Sequence, residues 1–246
     1  MKLVRKSNTT NVIAYHTHQG FGDLITCSPI VNYLCSEIPT HKITLITRSE
    51  SYAKNLRRFC YPEVEIAVIP GYPSHSDADS QSEVEIVNSW AENHDFFLVR
   101  SGFERYWYDE RVPWDFAFYE NAGVPYSIKS SYFAIQKDEA KEKETREKLQ
   151  ILDGESYAFV HDDPQRGLEF LTETDIKIVK NSKDIEIADM ASIMENAKEL
   201  HLMGSSFLCL ADLLELPKSQ QKLLYYTFRG DLNVRGKEKW KTISPE

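Results

Sequence analysis

The sequence predicts an α/β protein made of two Rossmann-like halves, each a parallel sheet covered by helices. Three observations predict it. Short β-branched stretches alternate with stretches of helical period along most of the chain. Near the amino end, a strand-like stretch runs through a glycine turn into a helical pattern. Towards the other end the same order recurs, from Glu199–Met203 through Gly204-Ser205-Ser206 into an apolar helix. At 246 residues the chain has room for two small cores.

In the first half, Asn11 to His16 reads as a strand, Gly20 and Gly22 as the turn, and Asp23 to about Ser36 as a helix. Strand-like Lys42–Thr47, helical Glu50–Phe59, strand-like Val64–Ile69, helical Glu83–Trp90 and strand-like Phe96–Arg100 follow. From Gly102 to Tyr126 aromatics crowd together (Phe103, Tyr106, Trp107, Tyr108, Trp114, Phe116, Phe118, Tyr119), a helical excursion whose rings either line a cleft or, as aromatics more commonly do, fill the core. The join between halves falls at the charged helical stretch Lys137–Gln150, giving domains 1–137 and 138–246. The second half reads as strands Tyr157–His161, Ile176–Lys180, Glu199–Met203 and Lys222–Phe228, with helices Ile187–Ala197 and Phe207–Leu214. No sequence repeat relates the halves.

Composition narrows the classes. Lys and Arg total 29 against 38 acids, a formal charge of −9, which argues against nucleic acid or an anionic membrane as a partner. The apolar stretch Val12–Tyr15 is too short for a signal peptide, and the richest apolar run, Phe207–Leu216, is broken by Asp212 and Glu215. A cytoplasmic protein with no transmembrane segment is expected. Cys27, Cys35, Cys60 and Cys209 form no Cys-x-x-Cys pair and read as reduced, mostly buried thiols.

Three constellations could carry chemistry. In His16-Thr17-His18-Gln19-Gly20-Phe21-Gly22-Asp23, the glycines would let backbone approach a ligand, and Asp23 would stand at a helix start facing the crevice beyond the strand ends. A carboxylate there suits a general base, and equally a helix N-cap. Ile25 replaces the third glycine of a Gly-x-Gly-x-x-Gly fingerprint, which weakens a nicotinamide-cofactor reading. In His161-Asp162-Asp163-Pro164-Gln165-Arg166-Gly167, a loop at a strand's carboxyl end, Arg166 and Gly167 suit a phosphate, with the acids orienting Arg166 or meeting sugar hydroxyls; a charged turn is the plain alternative. In Gly204-Ser205-Ser206-Phe207, a helix N-terminus offers N–H groups and a positive dipole end to a diphosphate, although serine caps many helices that bind nothing. Asp77-Ala78-Asp79 reads as a solvated loop, and His16 with His18 lacks identifiable co-ligands, so no metal is expected.

Two of these segments resemble known families. His18-x-Gly20-Phe21-Gly22-Asp23-Leu24-Ile25-x-x-Ser28-Pro29-Ile30-Val31-x-x-Leu34 resembles the Gly-Asp opening of bacterial heptosyltransferases, the family 9-like branch of the GT-B glycosyltransferases. Gly204-Ser205-Ser206-Phe207-x-x-Leu210-Ala211-Asp212-Leu213 resembles the Ser-Ser-Phe segment of fucosyltransferase-like GT-B enzymes. The resemblance implies a short GT-B chain whose halves face across a cleft, acceptor side first and donor side second. It makes Asp23 the general base and Ser205 and Ser206 the seat of the donor's diphosphate. From their own positions in the sequence, His18, Gly20 and Gly22 are expected on the acceptor side or in the cleft, and His161, Asp163, Arg166 and Gly167 at the donor's phosphates. The loop at His161 departs from the fucosyltransferase-like pattern, which has paired arginines after the histidine.

The expected activity is metal-independent transfer from a nucleoside diphosphate sugar to a hydroxyl of a glycan or other acceptor, with no cofactor; that the anomeric carbon inverts is implied by the resemblance alone. A nucleotide-sugar epimerase, or a non-catalytic sugar-nucleotide or protein-binding module, would use the same fold. A dehydrogenase is the weakest rival.

Overall fold

The first helix shows how the sequence builds its site. In the computed structural model, which describes residues 11–16, 20–69, 80–93, 97–101, 112–163, 167–169, 174–225 and 240–243, strand β1 (Asn11–His16) is followed by α1 (Phe21–Glu37). Pro29 lies inside α1 and has no N–H to give the Ile25 carbonyl. The hydroxyl of Ser28 donates to that carbonyl instead, at 2.8 Å, so the buried acceptor is satisfied and the helix runs on. Its residues from Leu24 to Ile30 are buried without interruption, as befits a helix packed on several sides.

The chain divides into two compact units, Met1–Ile135 and Gln136–Glu246. In the first, β2 (Lys42–Thr47), β3 (Glu65–Val68) and β4 (Phe97–Ser101) join β1 in an all-parallel sheet of order β3-β2-β1-β4. Helix α2 (Glu50–Leu56) with the 3-10 turn Arg57–Phe59, and α3 (Ser80–Asn93), make the crossovers. Ser49 caps α2, its hydroxyl accepting from the Tyr52 N–H. The core sits between α1 and the sheet, where Val12, Leu24, Ile30, Leu34, Ile43 and Leu45 meet.

The aromatic excursion packs into this core where it is described. Helices α4 (Phe116–Asn121) and α5 (Ile128–Ser131) cross α1. Phe118 and Tyr119 are fully buried, Trp114 meets Phe118 edge-on, and the Tyr119 hydroxyl donates to the Thr26 carbonyl at 2.8 Å. Asn32, buried in α1, ties the periphery together: its amide nitrogen donates to the Phe59 and Tyr132 carbonyls, and its oxygen accepts from the Tyr61 N–H. Every polar atom of that side chain therefore meets a backbone partner.

The second unit opens with α6 (Glu139–Lys148), capped by Asp138. Strands β5 (Tyr157–Val160), β6 (Lys177–Lys180), β7 (Glu199–Met203), β8 (Gln221–Tyr225) and β9 (Lys241–Ile243) form a second all-parallel sheet, order β6-β5-β7-β8-β9. The fully buried β5 and the buried run of β7 lie at its centre. A 3-10 turn, Ile187–Met190, leads into α7 (Ala191–Asn196), and α8 (Ser206–Leu213) packs on β7 and α7.

Several boundaries move. Helix α1 starts at Phe21, ahead of the expected Asp23, and the helix expected over Ile187–Ala197 begins as a 3-10 turn. Strand β9 was not expected. The four cysteines form no disulfide among the described residues; Cys27 and Cys60 are buried and the other two half-buried. Among the described residues, no helix is long and apolar enough to cross a membrane.

Candidate functional site

In an open parallel sheet, ligands sit beyond the carboxyl ends of the strands, where the strand order reverses direction. The first sheet reverses between β1 and β4, whose ends pair at His16 and Ser101. Helix α1 begins just beyond. Gly20 is its N-cap, with φ −67° and ψ 142°, an extended conformation open to any residue, and Gly22 is the helix's second residue. The glycine pair therefore does not form the turn as a unit, which corrects that expectation. Asp23 is the third helical residue and half-buried, so it is not the N-cap. A carboxylate in the first turn is favoured by the positive end of a helix dipole. His18, Asp77, Asp79 and Arg166 lie outside the described residues, and of His16 only the backbone is described.

The second sheet reverses between β5 and β7, and here two of the expected residues meet. His161 extends β5 by one hydrogen bond, its N–H donating to the His201 carbonyl at 2.9 Å. Ser205 stands two residues past β7 and is the N-cap of α8, yet its side chain makes no cap hydrogen bond. The hydroxyl lies instead 3.2 Å from His161 Nδ1. Ser205 thus gives its side chain to the neighbouring strand end and leaves the first N–H groups of α8 without a side-chain cap. The His161 ring rests on Phe207, with centroids 4.3 Å apart, and is 8 % exposed.

Burial pushes the His161 imidazole down to about 4, against the opposing influence of Asp162 and Asp163. Near neutrality the ring is uncharged, serves as a hydrogen-bond partner, and is too weak a base to activate Ser205. The extended backbone of Ser205 (φ −158°, ψ 179°) likewise lacks the strained turn of a nucleophilic serine.

The loop after His161 folds back on itself. Asp163 and Leu168 exchange backbone hydrogen bonds of 2.8 and 3.0 Å, and Gly167, at φ 71°, supplies the left-handed residue of the return. Asp162 has another partner: Lys180, at the end of β6, places its ammonium 2.6 Å from the buried carboxylate. Residue spacing gave no sign of this pair, because it depends on β6 lying beside β5. Also unforeseen is the buried His201, whose ring nitrogens meet the Tyr225 hydroxyl at 2.8 Å and Glu199 at 3.0 Å, bracing β7 against β8.

The depressed His161 value predicts an acid-sensitive second unit. A group whose folded value lies below its unfolded one contributes stability that is complete above the unfolded value and is lost as pH falls towards the folded one. Between 6.5 and about 4, at about 1.4 kcal/mol per unit, the loss amounts to roughly 3 kcal/mol. Denaturant unfolding from pH 7 to 4 is expected to show this extra decline in the native chain and not in His161→Asn. Parallel pH profiles would refute it.

No protein-family model matches the chain, and no curated protein does. Solved structures that share its fold include two glycosyltransferases. A family 9 glycosyl transferase from Veillonella parvula DSM 2008 superposes with a TM-score of 0.56 at 11% identity, over 95% of this chain and 85% of that one. The ADP-heptose lps heptosyltransferase II of E. coli does so with a TM-score of 0.55 at 11% identity, over 94% and 90%. At such identity the likeness is one of fold.

Proposed function

We propose that this chain is a cytoplasmic glycosyltransferase that moves a sugar from a nucleoside diphosphate sugar to an acceptor hydroxyl without a metal ion. The observation that carries this reading is the meeting of His161 and Ser205 at the reversal point of the second sheet, beside a helix end that the Ser205 side chain leaves uncapped. The fold shared with glycosyltransferase structures supports the same class.

The chemistry follows from what each end offers. The acceptor oxygen attacks the anomeric carbon as the bond to the diphosphate breaks, with inversion, and the bonding electrons leave on the β-phosphate oxygen. That oxygen needs stabilisation. The N–H groups at the start of α8, around Ser205 and Ser206, supply it, with Arg166 as a bidentate cation and the neutral His161 as a hydrogen-bond partner. Asp163 and Gly167 shape the loop that carries Arg166. Asp23 takes the proton of the acceptor hydroxyl.

A thermal-shift panel of nucleoside diphosphates tests the donor side, since a ligand at a hundred times its dissociation constant stabilises the native state by about 2.7 kcal/mol. At least one base is expected to raise the melting temperature. Arg166→Ala is expected to bind that nucleotide roughly tenfold more weakly, with melting unchanged in its absence. No shift with any nucleotide would overturn the donor reading; equal affinity in a folded Arg166→Ala would remove that residue alone.

A further inference from the structure

The first unit carries a positioned cation that the proposed mechanism does not use. Arg48 directly follows β2, at the carboxyl edge of the sheet, and is half-buried. Its guanidinium lies over the Tyr52 ring, 4.7 Å from the centroid, and Nη2 donates to the Tyr52 hydroxyl at 2.6 Å. Tyr52 in turn packs against Phe21, the first residue of α1, with centroids 5.1 Å apart. Ser49 fixes the adjoining turn by capping α2 through the Tyr52 N–H.

The chain holds 38 acidic residues against 29 basic ones, yet no carboxylate pairs with Arg48 among the described residues. Guanidinium is charged at every working pH and offers five N–H donors in a rigid fork, of which the tyrosine hydroxyl occupies one. Stacking on Tyr52 holds the rest in a fixed orientation. A half-buried cation without a counter-ion loses solvation that an anionic ligand would restore.

We infer that Arg48, presented by Tyr52, is an anion-recognition site for a carboxylate or phosphate group carried by the acceptor. This deepens the glycosyltransferase reading and rests on it, because the link through Phe21 places the cation on the side of the sheet where α1 begins and Asp23 stands. The anion would fix which acceptor hydroxyl approaches Asp23. Arg48 does not touch the reacting atoms and acts as a specificity determinant.

The test is a ligand-observed NMR titration of the full chain with glucose, glucuronate and glucose 6-phosphate, alongside ADP and UDP. One or both anionic sugars are expected to bind more tightly than glucose, and which one does identifies the anion. Arg48→Gln is expected to weaken that binding roughly tenfold or more, and Arg48→Lys partly, since an ammonium restores charge and not the fork. Lys54→Gln, which removes an exposed charge from the same helix, should leave it unchanged. Nucleotide binding should be equal in all variants. Equal binding of the anionic sugar by native protein and Arg48→Gln, or no preference over glucose in the native protein, would overturn the inference. Arg48-dependent binding with no nucleotide bound would instead fail the donor reading and leave an anion site without a transfer role.

Discussion

Asp23→Asn is expected to reduce single-turnover sugar transfer by roughly 10²–10⁴-fold while leaving nucleotide affinity unchanged, because it would remove the proposed proton acceptor and nothing at the proposed donor seat. The structure sharpens this expectation. Gly20, not Asp23, is the N-cap of α1, so loss of a capping side chain is no longer a competing explanation. Structurally the substitution removes, with Asp23's other contacts, a negative charge in the first turn, whose interaction with the helix dipole is worth about 0.3–1 kcal/mol. Asp23→Ala should therefore melt within a few degrees of Asp23→Asn. Both should be equally slow. The measurement is melting together with single-turnover transfer, using the donor found in the nucleotide panel and the anionic acceptor found by titration. A fully active asparagine variant would eliminate Asp23 as the base and leave it a dipole partner.

Much of the architecture was legible because strands in buried parallel sheets announce themselves. Lys42–Thr47 and Glu199–Met203 fall where β-branched and apolar residues concentrate, and both expected strands are found at those bounds. Boundaries failed where the local signal was silent. Gly22 carries no helical pattern, so α1 was expected two residues late. Strand β9 is three residues long and has no such concentration, its pairing with β8 being the only mark it has.

The site was legible in pieces. His161 and Ser205 were each singled out from strand-loop contexts 44 residues apart, and only the strand order places them side by side. The excursion that carries β6 leaves β5 and β7 as neighbours. The same missing information hid the partner of Asp162, which lies on β6. Spacing also hid Arg48, whose meaning comes from stacking on Tyr52 and from having no carboxylate partner among the described residues, neither of which it displays. Local chemistry was readable; adjacency across strands was not.

The largest stability effect is expected at a place far from any motif. Lys129 and Asp115 are almost wholly excluded from solvent, 1 % and 0 % exposed, with the ammonium 2.6 Å from Asp115 Oδ2. Tyr126 completes the group: its hydroxyl donates to Asp115 Oδ1 at 3.0 Å, and its ring lies 5.6 Å from the Lys129 ammonium. The pair clamps α4 and α5, the two helices that cross α1, so it braces the element whose first turn carries Asp23. Lys129→Met fills a similar volume but abandons a buried carboxylate, which is expected to cost about 3–5 kcal/mol. Removing both charges, as Lys129→Met with Asp115→Leu, removes the uncompensated ion and should recover most of that loss, although the Tyr126 hydroxyl then loses its acceptor. The contrast separates charge from packing. Urea unfolding of the three chains at pH 7 checks it: a double variant less stable than Lys129→Met alone would mean that the side chains matter for their shape, and that the ion pair is not what holds α4 and α5 against α1.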